Sequence, residues 1–184
     1  MFSMPPCFSI TAAFIAAMLA AFPQMSHRPI LFLKNKTGEA IMADWMETHR
    51  AVVHPWYCDH IGHMNVRFYG HFFDDAGFHI WNRIDGAKDA MEKHGVGVVV
   101  ARTTNDFIHE ANAGELLVVK SGFTRLGNKS LTYTQRMTNA ETGTLIATQE
   151  AVEVIFDAQK RQSTDMPDEI REILKKALVS VEED

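Results

Sequence analysis

The residues best suited to chemistry lie just before a predicted helix. Asp59 is followed by a glycine-containing turn and by Asn65, whose side-chain oxygen can cap the first turn of a helix. The unpaired amides and the positive dipole end of a helix start can polarise a carbonyl oxygen and hold the oxyanion that forms on attack. Asp59 can then serve as a general base for water or as a nucleophile. The segment therefore contains both parts of an ester or thioester hydrolase.

The order of residues in this segment resembles a known family. The pattern Asp-x-x-Gly-His-x-Asn-x-x-x-Tyr, followed by an aromatic and acidic helix, is similar to hotdog-fold acyl-CoA thioesterases of the 4-hydroxybenzoyl-CoA thioesterase type. The similarity covers about residues 48–157 and is carried by Asp59, Gly62, His63, Asn65 and Tyr69. The resemblance implies that Asp59 is the catalytic carboxylate and that the backbone amide of about Val66 binds the thioester carbonyl.

Other motif residues and several basic residues are candidates for supporting roles. We expect His63 to shape the loop or to orient the acyl group or Asp59. Asn65 is expected to cap the helix with an indirect effect on catalysis, and Tyr69, one turn into the helix, can line the acyl pocket. Because coenzyme A carries phosphates, the resemblance also implies basic side chains at the pocket mouth. The candidates on or between strands are Arg102, Arg125, Lys129 and Arg136.

A second polar cluster, formed by Asp106, His109 and Glu110, lies near the end of a predicted strand. Glu110 invites comparison with another subclass of hotdog thioesterases, in which a glutamate supplies the base. The residues around Glu110 do not match that subclass. A position flanking a turn is therefore the favoured interpretation of this cluster.

Histidines are dense around the motif, at positions 54, 60, 63, 71 and 79. Two of them belong to the loop and two are eight residues apart on the helix, and no His-Glu-x-x-His or Cys-x-x-Cys spacing occurs. We therefore expect no metal. Because no Gly-rich phosphate loop or other cofactor motif is visible, coenzyme A is expected as part of the substrate, and hydrolysis is the simplest chemistry.

The composition excludes several other classes of function. A chain of 184 residues with 46% hydrophobic and 22% charged residues is typical of one globular domain with possible extensions. A formal net charge of -5 without a cluster of basic residues argues against a nucleic-acid partner. Of the two cysteines, Cys7 lies outside the predicted domain and Cys58 is alone inside it. This pattern is typical of a reducing compartment and predicts a cytoplasmic location.

The first 47 residues are predicted to be an extension. Residues 10–22 form an almost continuous apolar run that is too short for a membrane span of ~20 residues. A signal peptide and an upstream-extended reading frame, with the true start at Met25, Met42 or Met46, are both open, although no basic residue precedes the run. We expect a hotdog thioesterase domain over residues 48–160 and a C-terminal helix and tail over residues 161–184.

The chain after the motif alternates apolar and polar residues, which predicts antiparallel strands joined by hairpins. Because the only long apolar helix runs from about Asn65 to about Ile84, a curved sheet must wrap around it, in agreement with the resemblance. The expected architecture is an α+β hotdog fold, with a five-stranded antiparallel sheet around one long central helix and a C-terminal helix ending near Val179. The predicted strands cover residues 48–56, 96–108, 116–125, 130–138 and 144–156.

These patterns lead to one main functional prediction. We expect an acyl-CoA thioesterase that hydrolyses an acyl-CoA thioester to a carboxylic acid and free coenzyme A. The alternative is a non-catalytic acyl-CoA-binding or sensing domain on the same fold. The resemblance further implies a homodimer or homotetramer with the active site at the subunit boundary. No nucleic-acid or membrane partner is expected, and the identity of the acyl group stays open.

Overall fold

The computed structural model describes residues 43–180, so the apolar run at residues 10–22 and the alternative starts at Met25 and Met42 lie outside it. Within the described part no helix is long and apolar enough to cross a membrane. Short 3-10 helices occupy Pro55–Tyr57 and Trp81–Arg83. The main elements, in chain order, are β1 (Met46–Val52), α1 (Val66–Ile80), α2 (Ala87–His94), β2 (Val96–Phe107), β3 (Leu116–Leu126), β4 (Ser130–Asn139), β5 (Leu145–Asp157), β6 (Gln162–Ser163) and α3 (Asp168–Lys175).

The strands form one antiparallel sheet in the order β1-β3-β4-β5-β2, and the two-residue β6 pairs with the end of β5. β3, β4 and β5 are neighbours in both sequence and space, as expected for hairpins. β2 directly precedes β3 in the chain but pairs with β5, from Val96 opposite Asp157 to Phe107 opposite Ala147. β1 and β2 are therefore the two outer strands of the described sheet.

The central helix α1 lies against the sheet through its apolar face. Asn65 starts it with an extended backbone and a side chain that accepts a hydrogen bond from the Arg67 amide. Phe73 and Ala76 are fully buried where α1 packs on β1 and β3. Gly77 allows close approach, because a Cβ at this position would lie 2.6 Å from the Tyr133 hydroxyl. The predicted arrangement of a sheet around one long helix is confirmed.

The core beneath α1 consists of two apolar clusters, one near each end of the helix. A row of buried polar side chains crosses the sheet between them, made of Thr48, Ser121, Gln135 and Gln149. The Gln135 amide nitrogen donates to the Ser121 hydroxyl at 3.0 Å, and the Ser121 and Thr48 hydroxyls lie 2.6 Å apart. Because a buried polar group without a partner is unfavourable, these bonds help to fix the register of the strands.

Several element boundaries differ from the prediction. α1 ends at Ile80 and continues as a 3-10 helix instead of reaching Ile84 as an α-helix. Gly86 has a φ of +77° and stands at the start of α2. For residues 88–94 the sequence predicts a mixed connector or a short helical turn, and the structure has a helix of eight residues there. β1 ends at Val52 because Pro55 begins the short 3-10 helix, which rules out a strand to residue 56.

The C-terminal helix α3 is also shorter than predicted, ending at Lys175 rather than near Val179. The next residues join the sheet region instead: the Val179 amide donates to the Phe123 carbonyl at 2.9 Å, and Leu178 forms a parallel bridge with Phe123. Val179 is buried. A single bridge between segments so distant in sequence leaves no periodic pattern, and neither this contact nor β6 was predicted.

Candidate active site

The loop that precedes α1 is fixed by backbone hydrogen bonds. The Gly62 amide donates to the Asp59 carbonyl at 3.1 Å, and the Asp59 amide donates to the His63 carbonyl at 3.2 Å. Gly62 has a φ of +102°, a conformation that favours glycine. The Met64 amide donates to the Ala111 carbonyl at 2.8 Å, which attaches the loop to the segment after β2. The carboxylate of Asp59 is thus carried by a rigid turn.

Both carboxylate oxygens of Asp59 accept a hydrogen bond. Oδ2 accepts from Asn65 Nδ2 at 2.9 Å, and Oδ1 accepts from the Ile61 amide at 2.9 Å. These two bonds, with the Asn65 side chain as the larger contribution, lower the pKa of Asp59 below its ordinary value. Asp59 is therefore ionised at neutral pH, as a general base or a nucleophile requires and a general acid does not.

Asn65 connects this carboxylate to the helix start. Its side-chain oxygen accepts from the Arg67 amide at 3.3 Å and from Arg67 Nε at 3.1 Å, while its Nδ2 donates to Asp59. The predicted cap is confirmed, and the contact with Asp59 is additional. Val66 is the first helical residue, so its amide has no acceptor within the helix and is available to a ligand. The Asp59 carboxylate and the helix-start amide are thereby held in one geometry.

A cavity of about 320 Å³ opens beside these groups. One wall comes from the loop and α1, through Asp59, His63, Met64, Asn65, Val66 and Tyr69. The opposite wall is formed by residues 107–110 at the end of β2. The cavity therefore brings together the five predicted residues Asp59, His63, Asn65, Val66 and Tyr69.

His63 and Tyr69 face the wall formed by the end of β2. His63 Nε2 lies 3.3 Å from Glu110 Oε1. The Tyr69 ring packs edge-on against Phe107 at a centroid distance of 5.2 Å, and burial raises the pKa of the Tyr69 hydroxyl. Tyr69 is therefore an uncharged wall residue, and His63 links the loop to Glu110.

The predicted basic residues do not line this cavity. Arg102 Nη2 lies 3.2 Å from Glu150 Oε1 on the neighbouring strand, and Arg125 Nη2 lies 3.4 Å from the Thr132 hydroxyl. In the described part of the chain no group of three or more His, Cys, Asp or Glu side chains is arranged to hold a metal ion. The structure thus joins the motif residues and leaves the two arginines elsewhere on the sheet.

Sequence reasoning missed the contribution of the end of β2. Phe107 and Ile108 supply apolar surface to the cavity, and the bridge between His63 and Asn112 places this segment against the loop. Of this wall, only His109 and Glu110 were singled out beforehand, as part of a polar cluster. Since the two segments are separated by some 45 residues, the long-range pairing of β2 with β5 was needed to locate this wall.

Comparison with known proteins identifies the family. Residues 53–174, well over half of the chain, match the model of the Thioesterase-like superfamily, and the chain belongs to this superfamily. No curated protein sequence matches the chain significantly.

Solved structures with the same architecture support this assignment of the fold. The probable thioesterase YbaW from Escherichia coli aligns with a TM-score of 0.64 and 21% identity, over 72% of this chain and 99% of that chain. A hypothetical protein from Staphylococcus aureus in complex with CoA aligns with a TM-score of 0.66 and 19% identity, over 79% of this chain and 93% of that chain. A 1,4-dihydroxy-2-naphthoyl-CoA thioesterase from Synechocystis aligns with a TM-score of 0.59 and 15% identity, over 70% of this chain and 95% of that chain. The chain therefore has the hotdog thioesterase fold.

Proposed function

We propose that this protein is an acyl-CoA thioesterase, hydrolysing an acyl-CoA thioester to a carboxylic acid and free coenzyme A. The observation that carries the proposal is the 2.9 Å hydrogen bond between Asp59 and the helix-capping Asn65. It places an ionised carboxylate and the free amide of Val66 in the walls of one cavity. These are the two groups that attack on a thioester carbonyl requires.

Two routes are consistent with this geometry. In the first, Asp59 takes a proton from water as the water oxygen adds to the thioester carbonyl carbon, and the carbon–sulfur bond then breaks to release the thiolate. In the second, Asp59 itself adds, the thiolate leaves, and water hydrolyses the resulting anhydride. In either route the Val66 amide donates to the oxyanion. The side chains of His63 and Tyr69 line the space for the acyl group. Coenzyme A is part of the substrate rather than a cofactor.

Membership of the Thioesterase-like superfamily supports thioester hydrolysis. The names of two structural neighbours refer to thioesterases, and a third neighbour was solved in complex with CoA. Closer kinship with the 4-hydroxybenzoyl-CoA thioesterase type, contacts of Arg102 and Arg125 with the coenzyme A phosphates, and a cytoplasmic location are parts of the proposal that rest on the sequence alone.

We also propose that the protein works as a homo-oligomer. β2 is an outer strand with exposed apolar side chains: Val99 and Val100 are 45% and 47% exposed. Long apolar edge strands tend to pair with another chain, and a second β2 related by a two-fold axis would continue the antiparallel sheet. Phe107 and Ile108, also half-exposed, line the Asp59 cavity from the same strand end. A partner at this edge would therefore enclose the site.

Release of free coenzyme A tests the proposed activity. The thiol is followed with a thiol reagent across short, medium, long, aryl and polar acyl-CoAs, for the wild type, Asp59→Asn and the control Asp85→Asn, whose side chain is exposed in a distant loop. We expect turnover in the wild type and in the control, and a loss of ~10²–10⁴-fold in Asp59→Asn. Tight acyl-CoA binding without turnover on any substrate would instead favour a non-catalytic sensing domain.

A further inference from the structure

Asn65 can hold Asp59 only while its side-chain amide points one way. The amide nitrogen Nδ2 donates to Asp59 Oδ2 at 2.9 Å. A half-turn of the amide would place Oδ1 at this position instead. An amide oxygen and an ionised carboxylate are both acceptors without a proton to share, so the two would repel each other. The contact with Asp59 therefore depends on what holds Oδ1 on the opposite side.

Arg67 holds the oxygen end of this amide. Its backbone amide donates to Asn65 Oδ1 at 3.3 Å, and its side-chain Nε donates to the same atom at 3.1 Å. Both groups are donors without acceptor capacity, so they match the oxygen end of the amide and conflict with the NH2 end. With these donors on one side and a carboxylate on the other, only the observed orientation satisfies every group.

The position of the Arg67 side chain is itself supported. Its guanidinium carbon lies 5.3 Å from the centre of the Phe68 ring, within the range of a cation–π contact. Phe68 packs against the Tyr57 ring at a centroid distance of 4.6 Å. The Tyr57 carbonyl in turn accepts from the backbone amide of Asn65 at 2.9 Å. The group that orients Asn65 is thus attached to the same loop as Asn65.

The charge of Arg67 acts in the same direction as its geometry. A hydrogen bond from an ionised donor is stronger than one between neutral groups. Because linked hydrogen bonds polarise one another, a guanidinium on Oδ1 makes Nδ2 a better donor to Asp59. The Asn65 side chain is the largest cause of the lowered pKa of Asp59, and the charges of His60 and His63 contribute less. Arg67 therefore has a route to the carboxylate through Asn65.

We propose that Arg67 is a positioning residue of the active site: the bond from its Nε to Asn65 Oδ1 keeps the Asn65 amide turned towards Asp59. This inference rests on the proposed thioesterase function and adds a residue to the machinery that performs it. Asp59 and the Val66 amide still carry the hydrolysis, and Arg67 acts on them only through Asn65.

Three substitutions separate the donor of Arg67 from its charge. Glutamine has an N–H group at the position of Nε but no charge, lysine has the charge but a methylene in place of Nε, and methionine has neither. All three keep the backbone amide of residue 67, so the helix cap is retained. Arg83→Met is the matched control, because Arg83 is exposed in the 3-10 helix that follows the other end of α1.

The expected loss follows the donor rather than the charge. In Arg67→Met we expect kcat to fall by about three- to tenfold, since the backbone amide still donates to Oδ1 while the side-chain donor is lost. Arg67→Gln and Arg83→Met should stay within about twofold of the wild type, and Arg67→Lys should lose more than Arg67→Gln. The melting temperatures of all variants should agree within about 1 °C, because the cap is retained.

A double-substitution cycle tests whether Arg67 acts through Asn65. In the Asn65→Ala background the amide is absent, so Arg67→Met should change kcat by less than about 1.5-fold. Acyl thioesters of N-acetylcysteamine, which lack the phosphates of coenzyme A, separate positioning from phosphate binding. The loss of kcat in Arg67→Met should be equal for the two kinds of thioester. A loss confined to KM for acyl-CoA, or one that lysine restores and glutamine does not, would overturn the inference.

Carbon-13 NMR titration of the Asp59 carboxyl group supplies a readout that does not depend on turnover. The pKa of Asp59 should be higher in Arg67→Met than in the wild type and Arg83→Met, because a less well oriented Asn65 donates less to the carboxylate. An unchanged pKa, or a full effect of Arg67→Met in the Asn65→Ala background, would overturn the inference. If the wild type turned over no acyl thioester, the proposed function would be overturned, and the titration would still decide the role of Arg67.

Discussion

Replacing Asn65 separates its two roles, helix capping and contact with Asp59. Asn65→Ala removes both, because the alanine side chain neither accepts from the Arg67 amide nor donates to Asp59. Asn65→Ser keeps a good capping oxygen, but serine is too short to replace the 2.9 Å bond to Asp59. The two variants should therefore differ in stability and agree in activity.

The magnitudes follow from the contacts. Loss of an N-cap costs about 1 kcal/mol of unfolding free energy, so Asn65→Ala should melt about 3 °C below the wild type. Asn65→Ser should stay within about 1 °C. Without the Asn65 donor, Asp59 keeps only the hydrogen bond from the Ile61 amide and can rotate out of line with the Val66 amide. We therefore expect kcat to fall by about 10–100-fold in both variants.

The pH profile provides a second readout. The Asn65 side chain is the largest cause of the lowered pKa of Asp59, so its removal raises that pKa towards the ordinary value. Because the proposed mechanism requires the ionised carboxylate, the acidic limb of kcat/KM should move to higher pH in both variants. Scanning calorimetry and pH–rate profiles measure these effects. An Asn65→Ser variant with wild-type activity and an unshifted profile would refute a positioning role for Asn65.

Two further predictions concern the core and the sheet edge. Glu153 is buried against Trp81 and Tyr133, and burial raises its pKa from the ordinary 4.5 to about 7. Because the pKa is higher in the folded state, the free energy of unfolding should fall by about 3 kcal/mol as the pH rises from 4.5 through 7. Urea unfolding at several pH values measures this fall, which should be absent in Glu153→Gln. Val100→Lys should lower the molar mass of the oligomer measured by light scattering, whereas Val52→Lys, on the opposite edge strand, should keep the wild-type mass. If the Val100→Lys variant had the same molar mass as the wild type, pairing through β2 would be contradicted.

Local patterns explain why much of the fold and part of the site were predictable. Asn65 caps α1 through contacts within two residues. The alternation of residue types over residues 130–138 is typical of a strand with one covered face, and Tyr133, Gln135 and Met137, which share a face of β4, are buried. Asp59, His63 and Asn65 belong to one short loop, so their motif is visible in the sequence. Contacts between residues that are only a few positions apart in the sequence can be inferred from residue types and spacing.

Long-range contacts explain what could not be predicted. Glu110 meets His63 only because the segment after β2 folds back onto the loop, and Arg102 meets Glu150 through the register of β2 with β5. The end of α1 was misplaced because Gly86 is equally suited to follow one helix or to precede the next.

The central claim, that Asp59 drives hydrolysis of an acyl-CoA, is tested most directly by a single-turnover experiment. Enzyme in excess over the best acyl-CoA of the panel is mixed rapidly, and release of coenzyme A is followed for the wild type, Asp59→Asn and Asp85→Asn, so that slow product release does not mask the chemical step. We predict release in the wild type and in Asp85→Asn, and a rate lower by ~10²–10⁴-fold in folded Asp59→Asn. A folded Asp59→Asn variant that releases coenzyme A at the wild-type rate would contradict the account.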